Sequence, residues 1–276
     1  MNLWESILYG VISGLSEFLP VSSLGHQEIL KIFFGASSPE PLRDMMIHIA
    51  FLAAVLVGCS TYIDKLRQEY SHSNRAKRRR SAGRDRRSQY DLMLLKSTTF
   101  LMIVAMAFFR IVFPTVLSLN WLAFTFLVSG IIIFIPEYLP HGNKDSRKMS
   151  GFDSFLLAVS GALCAIPGFS RVGCALSSCV SRGADKIKSY NWILVLTVPS
   201  VFMFLIFDIV TVFQVGFGVI SFAHFLGYIV SGIFAFISSM AGIYFMRFML
   251  VRSGFSSFAF YNWGAALLIF LLHLSA

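Results

Sequence analysis

Six apolar runs, at 46–62, 92–113, 118–138, 191–212, 223–247 and 256–274, reach the length of a bilayer crossing. Hydrocarbon offers no hydrogen-bond partner, so each run must satisfy its own backbone, and helices do so. Two further apolar stretches are interrupted: 3–32 breaks at Pro20 and Gly25, and 152–184 breaks at Pro167, Gly168 and Gly173. Each half is shorter than the ~20 residues a crossing helix needs. A short helix, a polar break and a second short helix form a re-entrant hairpin, which is tolerated only inside protein or beside a wet cavity. Charged residues are 13% of the chain, about half the ~25% of soluble domains. The expectation is an all-α polytopic membrane protein.

The element order is hairpin, three spans, hairpin, three spans. The breaks also match: Ser22-Ser23-Leu24-Gly25 lies over Ser170-Arg171-Val172-Gly173. The chain therefore reads as a single membrane domain built from two repeats, 1–138 and 139–276. Three spans is an odd number, so the second repeat runs upside down relative to the first. Inverted repeats with broken helices meeting at the midplane are a transporter-type architecture.

Charge gives the orientation. The formal net charge is +9, concentrated in the stretch 64–91 with Arg75, Lys77 to Arg80, Arg84, Arg86 and Arg87. In a membrane chain such a stretch marks the cytoplasmic side. It reads as a disordered cytoplasmic loop touching anionic lipid head groups, and not as a nucleic-acid site. Alternation puts 141–151, 182–190 and 248–255 on the same side, with Lys144, Arg147, Lys148, Arg182, Lys186, Lys188 and Arg252. The opposite loops, 114–117 and 213–222, carry no Lys or Arg. The first hairpin then enters from outside and the second from inside. Cys59, Cys164, Cys174 and Cys179 form no C-x-x-C pair and read as small core residues. The start, MNLWESILYG, lacks the basic region and cleavage site of a removable signal peptide.

Ionisable residues at membrane depth are costly and point to function. The first hairpin supplies Glu17 and His26 with Ser22 and Ser23; the second supplies Arg171 beside Ser170. Such a set suits phosphate. A guanidinium forks onto phosphate oxygens. The amides of the Gly168–Gly173 break and the following helix start favour an anion. Glu17 can hold a divalent cation. A serine beside an imidazole can act as nucleophile, or His26 can attack or carry the proton. The plain alternative is a structural Glu17–Arg171 pair with the hydroxyls capping helix ends.

These residues resemble the undecaprenyl-pyrophosphate phosphatases, the bacitracin-resistance membrane phosphatases. Ser13 to His26 are similar to the family pattern E/Q-G-L-T-E-F-L-P-V-S-S-T-G-H, and Pro167 to Ala175 are similar to its pattern P-G-T-S-R-S-G-A-T. Weaker similarity covers Asp44 to His48, Trp192 to Pro199 and Phe258 to Gly264, so it runs over nearly the whole chain. The resemblance implies hydrolysis of undecaprenyl pyrophosphate to the monophosphate carrier in the bacterial cytoplasmic membrane, with a divalent cation, usually magnesium. It implies Glu17 at the metal or as base, His26 and Ser23 as catalytic imidazole and hydroxyl, and Ser170 and Arg171 on phosphate. Ser22, Gly168 and Gly173 complete the expected phosphate set. Asp44 and His48, one turn apart, are expected at the outer mouth or behind the site.

Five positions depart from the family pattern. Ser13 replaces an acid or amide, Phe169, Val172 and Ala175 replace hydroxyl residues, and Asn262 replaces Arg. The expected consequence is weaker metal binding and fewer donors to the diphosphate. Lys96 and Arg110 are expected to snorkel, and Asp208 to face water. The rival readings are a non-enzymatic protein that binds or flips a polyprenyl phosphate, and a phosphatase for another isoprenoid pyrophosphate.

Overall fold

The computed structural model describes residues 3–35, 40–76, 87–113, 118–140, 142–216 and 222–275. Among them lie eleven α-helices: α1 Leu3–Phe18, α2 Ser23–Phe33, α3 Pro41–Gly58, α4 Ser60–Ala76, α5 Arg87–Val112, α6 Leu119–Phe134, α7 Gly151–Ala162, α8 Arg171–Ser181, α9 Lys186–Val215, α10 Phe222–Arg252 and α11 Phe258–Ser275. α3, α5, α6, α9 and α10 contain stretches long and apolar enough to cross a membrane. The sixth expected span, α11, is apolar over the shorter stretch Phe258–Leu274, ~25 Å of helix. Both broken stretches are hairpins, α1–α2 and α7–α8.

Local chemistry explains each break. Pro20 pushes Leu19 out of the helical region, so α1 stops at Phe18. Ser22 then caps α2, its hydroxyl accepting the Gly25 amide at 3.0 Å. In the second hairpin α7 tightens into a 3₁₀ turn at Leu163–Ala165, and Pro167 follows. Gly168 has φ +97°, a conformation that L side chains rarely adopt, and a β-carbon there would strike the Thr125 side chain. Ser170 caps α8 by accepting the Gly173 amide at 3.0 Å. The two caps have nearly one geometry, φ −86° ψ 116° at Ser22 and φ −86° ψ 123° at Ser170.

The packing repeats too. α1 packs on α10, and its counterpart α7 packs on α5. α3 packs on α10 while its counterpart α9 packs on α5; the self-related pairs α3–α9 and α6–α11 close the set. The α1–α10 seam is made of small residues. Gly10 and Gly14 leave no room for a β-carbon against Ser231, Ala235 and Ser238. Ser231, Ser238 and Ser239 donate to the carbonyls of Ser6, Gly10 and Gly14. Such close approach holds helices together where lipid removes the hydrophobic drive. In the counterpart seam Ser154 of α7 meets Ser97 and Thr98 of α5 at 2.7 and 2.8 Å. Exposed Phe100, Phe108 and Phe213 face outward, whereas Phe18, Phe51 and Phe126 are buried in the core.

The basic segments do gather at one end. Lys65, Asp91, Asp145, Ser146 and Lys188 line one cavity, and Lys144 is bridged to Ala184. The stretch 64–91 departs from expectation, because it is helical in α4 through Ala76 and again in α5 from Arg87. Residues 77–86, with most of its basic run, lie outside the described residues, and its lipid contacts with them. All four cysteines are free and buried.

Candidate functional site

Glu17 lies in the last turn of α1 and Arg171 in the first turn of α8. They are 7% and 4% exposed, and Glu17 Oε1 meets Arg171 Nη1 at 2.5 Å. Each charge sits at the wrong end of its helix: a carboxylate near a C-terminus, a guanidinium at an N-terminus. Their mutual attraction therefore carries the stabilisation of both. The two hairpins bring acid and base together although 154 residues of chain separate them in sequence. Arg171 Nε also donates to Cys164 Sγ at 3.4 Å, and its guanidinium lies 5.6 Å from the Phe204 ring centre.

Beside the pair is a cavity of about 10 Å³, the room of a single water, lined by Glu17, Ser23, His48, Phe169, Arg171 and Phe204 among others. Ser23 donates to the Ser13 carbonyl at 3.2 Å and accepts from Gln27 at 3.4 Å. His48 reaches the cavity from α3. Its Nδ1 bonds Asp208 Oδ2 at 2.6 Å, and its ring stacks on Phe204 at 5.3 Å. Asp208 thus does not simply face water as expected; it holds His48, with its side chain 14% exposed. Sequence reasoning missed this pair. The available signal was that Asp208 is the one acidic residue in α9.

The other expected residues are placed elsewhere. Ser22 Oγ accepts two amides, Gly25 N in its own hairpin and Gly168 N in the other, both at 3.0 Å. Ser170 accepts Gly173 N and donates to the Leu19 carbonyl at 3.3 Å. The Gly168–Ser22 and Ser170–Leu19 bonds clasp the hairpins together, the Ser170 amide goes to Ser129 Oγ at 3.2 Å, and these groups are committed there rather than turned to the cavity. His26 does not line the cavity. Its Nδ1 meets the Ser22 carbonyl at 2.5 Å, its Nε2 meets the Tyr261 hydroxyl at 2.6 Å, and Phe126 abuts its ring. Asp44 pairs with Arg43, which is 1% exposed, also binds Glu40 at 2.6 Å and lies over the Tyr9 ring. Arg110 lies over the Phe207 ring at 5.2 Å, while Lys96 is exposed.

The five departures also separate. Only Phe169 lines the cavity. Val172 and Ala175 are buried in the apolar core, so hydroxyls there would not face the cavity. Asn262 donates to the Pro20 and Phe258 carbonyls at 2.9 and 2.7 Å, bracing the first break. Ser13 is fully buried and its hydroxyl has no partner. Glu17 is the one carboxylate on the cavity, and no three His, Cys, Asp or Glu among the described residues converge as a metal cage. A single carboxylate fits a hard divalent cation whose remaining ligands are waters and substrate phosphates, the habit of magnesium.

The chain is similar to known proteins over most of its length. The undecaprenyl-diphosphatase of Halothermothrix orenii is 24% identical over 274 residues, 99% of this chain and 98% of its own. That of Treponema denticola is 27% identical over 215 residues, 76% of each chain, and that of Syntrophotalea carbinolica is 26% identical over 264 residues, 95% and 96% of the two. The family model described as bacitracin resistance protein BacA matches residues 6–268, nearly the whole chain including both hairpins, and the chain belongs to that family.

Proposed function

We propose that this protein hydrolyses undecaprenyl pyrophosphate to undecaprenyl phosphate and inorganic phosphate in the bacterial cytoplasmic membrane, recycling the cell-wall lipid carrier. The observation that carries the reading is the buried Glu17–Arg171 pair, held at the meeting of two broken hairpins in a chain of the BacA family. The named relatives act on this substrate class, and the polyprenyl tail would lie along the apolar helix faces. The two repeats would be 1–138 and 139–276, with the basic end cytoplasmic and anionic lipid heads against 64–91.

The ion pair supplies a partner exchange. An incoming diphosphate offers Arg171 oxygens that compete with Glu17, and the guanidinium fork neutralises charge developing on the terminal phosphoryl group. Freed from Arg171, Glu17 would hold the divalent cation that accompanies the diphosphate, magnesium being the natural choice. Bound there, the cation would screen the phosphate charge. Ser23 would position the attacking water, or attack itself to form a phosphoserine that water then hydrolyses; in either case the bridging P–O bond breaks, undecaprenyl phosphate leaves and the nucleophile's proton passes to an imidazole. The resemblance gives the proton to His26, whereas the cavity geometry offers His48. With Nδ1 committed to Asp208, His48 has Nε2 left to exchange a proton. Ser22 with Gly168, and Ser170 with the Leu19 carbonyl, hold the two hairpins in register, while Gly173 fixes the Ser170 cap.

Phosphate release from undecaprenyl pyrophosphate by the purified protein, with magnesium and with chelator, tests the reading. Metal-dependent release that vanishes in Glu17→Ala and Arg171→Ala is the expected result. Lipid bound without release would transfer the chain to the carrier class. The same assay separates the imidazoles. If His48 carries the proton, His48→Gln and Asp208→Asn fall together by about 100-fold, a usual size for general acid–base catalysis. A silent His48→Gln would return the role to His26.

A further inference from the structure

A second cavity lies at the far end of the same helices. Going along α3 from His48 to Cys59 covers ~16 Å at the helical rise. There, between the α3–α4 junction, the start of α9 and the end of α10, is a cavity of about 260 Å³ whose lining includes Cys59, Thr61, Tyr62, Tyr190, Asn191 and Arg247. Buried Phe51, Val55 and Ile243 belong to the packed core between the two ends. Among the described residues Arg247 is the only charged one of this lining, and no carboxylate shares it. Its guanidinium makes one long bond, Nη2 to Asn191 Oδ1 at 3.4 Å. That leaves the Asn191 NH₂ group, the Thr61 hydroxyl and most of the guanidinium as donors without a matching acceptor. Tyr62 and Tyr190 are committed elsewhere, to Asp91 at 3.3 Å and to the Phe18 carbonyl at 3.2 Å.

We infer that this cavity binds the phosphate group of a lipid. A donor-rich pocket with one guanidinium and no carboxylate selects an anion with several oxygens. The surface beside it selects a lipid over a soluble ester, because Tyr244, Phe248 and Val251, on the same helix, are exposed and apolar. Acyl or prenyl chains can lie on that face while the phosphate turns inward to Arg247. Simple snorkelling is the competing account of an arginine near a helix end. Arg252 illustrates it on the same helix: it is exposed and folds over the Phe248 ring at 4.5 Å. Arg247 instead turns into a cavity. The adjoining cavity of about 290 Å³, which shares Tyr62 and Asn191, adds Lys65 and Lys188. That neighbour also holds two carboxylates, Asp145, whose Oδ2 pairs with Arg147 at 3.0 Å, and Asp91, which accepts the Tyr62 hydroxyl, so the anion-selective cavity is the one at Arg247.

The test is lipid binding to the full-length protein in detergent, followed by native mass spectrometry. The probe is phosphatidylglycerol, with phosphatidylcholine as the zwitterionic comparison. Wild type should retain phosphatidylglycerol in preference to phosphatidylcholine. Arg247→Gln should bind phosphatidylglycerol about tenfold more weakly, the size of a lost charge-assisted contact. Arg252→Gln should stay within about twofold, as an exposed charge contributes little. Melting temperature in detergent checks the fold, and Arg247→Lys, which keeps charge but loses the fork, should fall between. Displacement of the lipid by inorganic phosphate would assign recognition to the phosphate group alone; failure to displace it would assign the chains a share. Equal binding by wild type and Arg247→Gln, or equal retention of the two lipids, overturns the site.

Discussion

The two hairpins share a backbone and divide the chemistry. At one constant register Ser6 answers to Ser154, Gly10 to Ala158, Gly14 to Ala162, Ser22 to Ser170 and Gly25 to Gly173. Caps, breaks and small-residue faces are therefore repeated, and so are the helix partners. The charges are not. Glu17 faces Ala165 in that register, and Arg171 faces Ser23. One hairpin brings the acid and hydroxyl, the other the base, and neither half contains the site. Two breaks of one backbone geometry are made complementary by the different side chains at single positions.

Disabling that complementarity gives the largest expected effect. Glu17→Ala should destabilise the protein by about 3–5 kcal/mol, because Arg171 is left as an unpaired buried charge at a positive helix end. The double variant Glu17→Leu/Arg171→Met should recover most of that loss, since apolar side chains of similar size remove both desolvation penalties. Phosphate release should stay absent in both. Thermal unfolding in detergent measures the first two statements. A double variant as unstable as Glu17→Ala would show that the hairpins meet for reasons other than this pair.

The clasp sharpens the comparison at a smaller scale. Ser22 and Ser170 are equivalent caps, yet Ser22 Oγ takes amides from both hairpins while Ser170 Oγ takes one and gives to a carbonyl. Ser22→Ala strands two buried N–H groups; Ser170→Ala strands one, because the Leu19 carbonyl it releases still accepts the Val21 amide at 2.7 Å. The expected costs are about 2–3 kcal/mol for Ser22→Ala and about 1–2 kcal/mol for Ser170→Ala. Equal costs would mean that the Gly168 contact adds nothing.

What the sequence made legible follows the range of the forces involved. Pro20, Pro167, Ser22 and Ser170 act within a few residues, so the breaks and both caps could be read directly. Element order and the gathering of basic segments at one end came from hydropathy and charge along the chain. The site was half legible. Glu17 and Arg171 announce themselves as charges in apolar surroundings, but the meeting of His48 with Asp208 depends on α3 packing against α9, across 160 residues. No spacing rule reaches that far. His26 and His48 are indistinguishable as isolated residues, and only the docking of α11 and α9 turns one ring to Tyr261 and the other to Asp208. Val172 and Ala175 mislead for the same reason: the helix face they occupy is set by α8 packing into the core.

Ser13 gives the smallest and most pointed case. It stands where the family motif has an acid or amide, and its counterpart in the second hairpin is Gly161. Its hydroxyl is buried without a partner, while its carbonyl accepts the Ser23 hydroxyl at 3.2 Å. The backbone of Ser13 therefore matters to the site and its side chain does not. Ser13→Ala keeps the carbonyl and removes an unpaired buried hydroxyl, so stability should be unchanged or rise by up to ~1 kcal/mol. Phosphate release should match wild type within about twofold, since no cavity-lining group moves. The assay and the melt together decide the point: a loss of release with an unchanged melt would give this hydroxyl a place in the chemistry. In that event the difference between Ser13 and Gly161 would join Glu17 and Arg171 in dividing the chemistry between the hairpins.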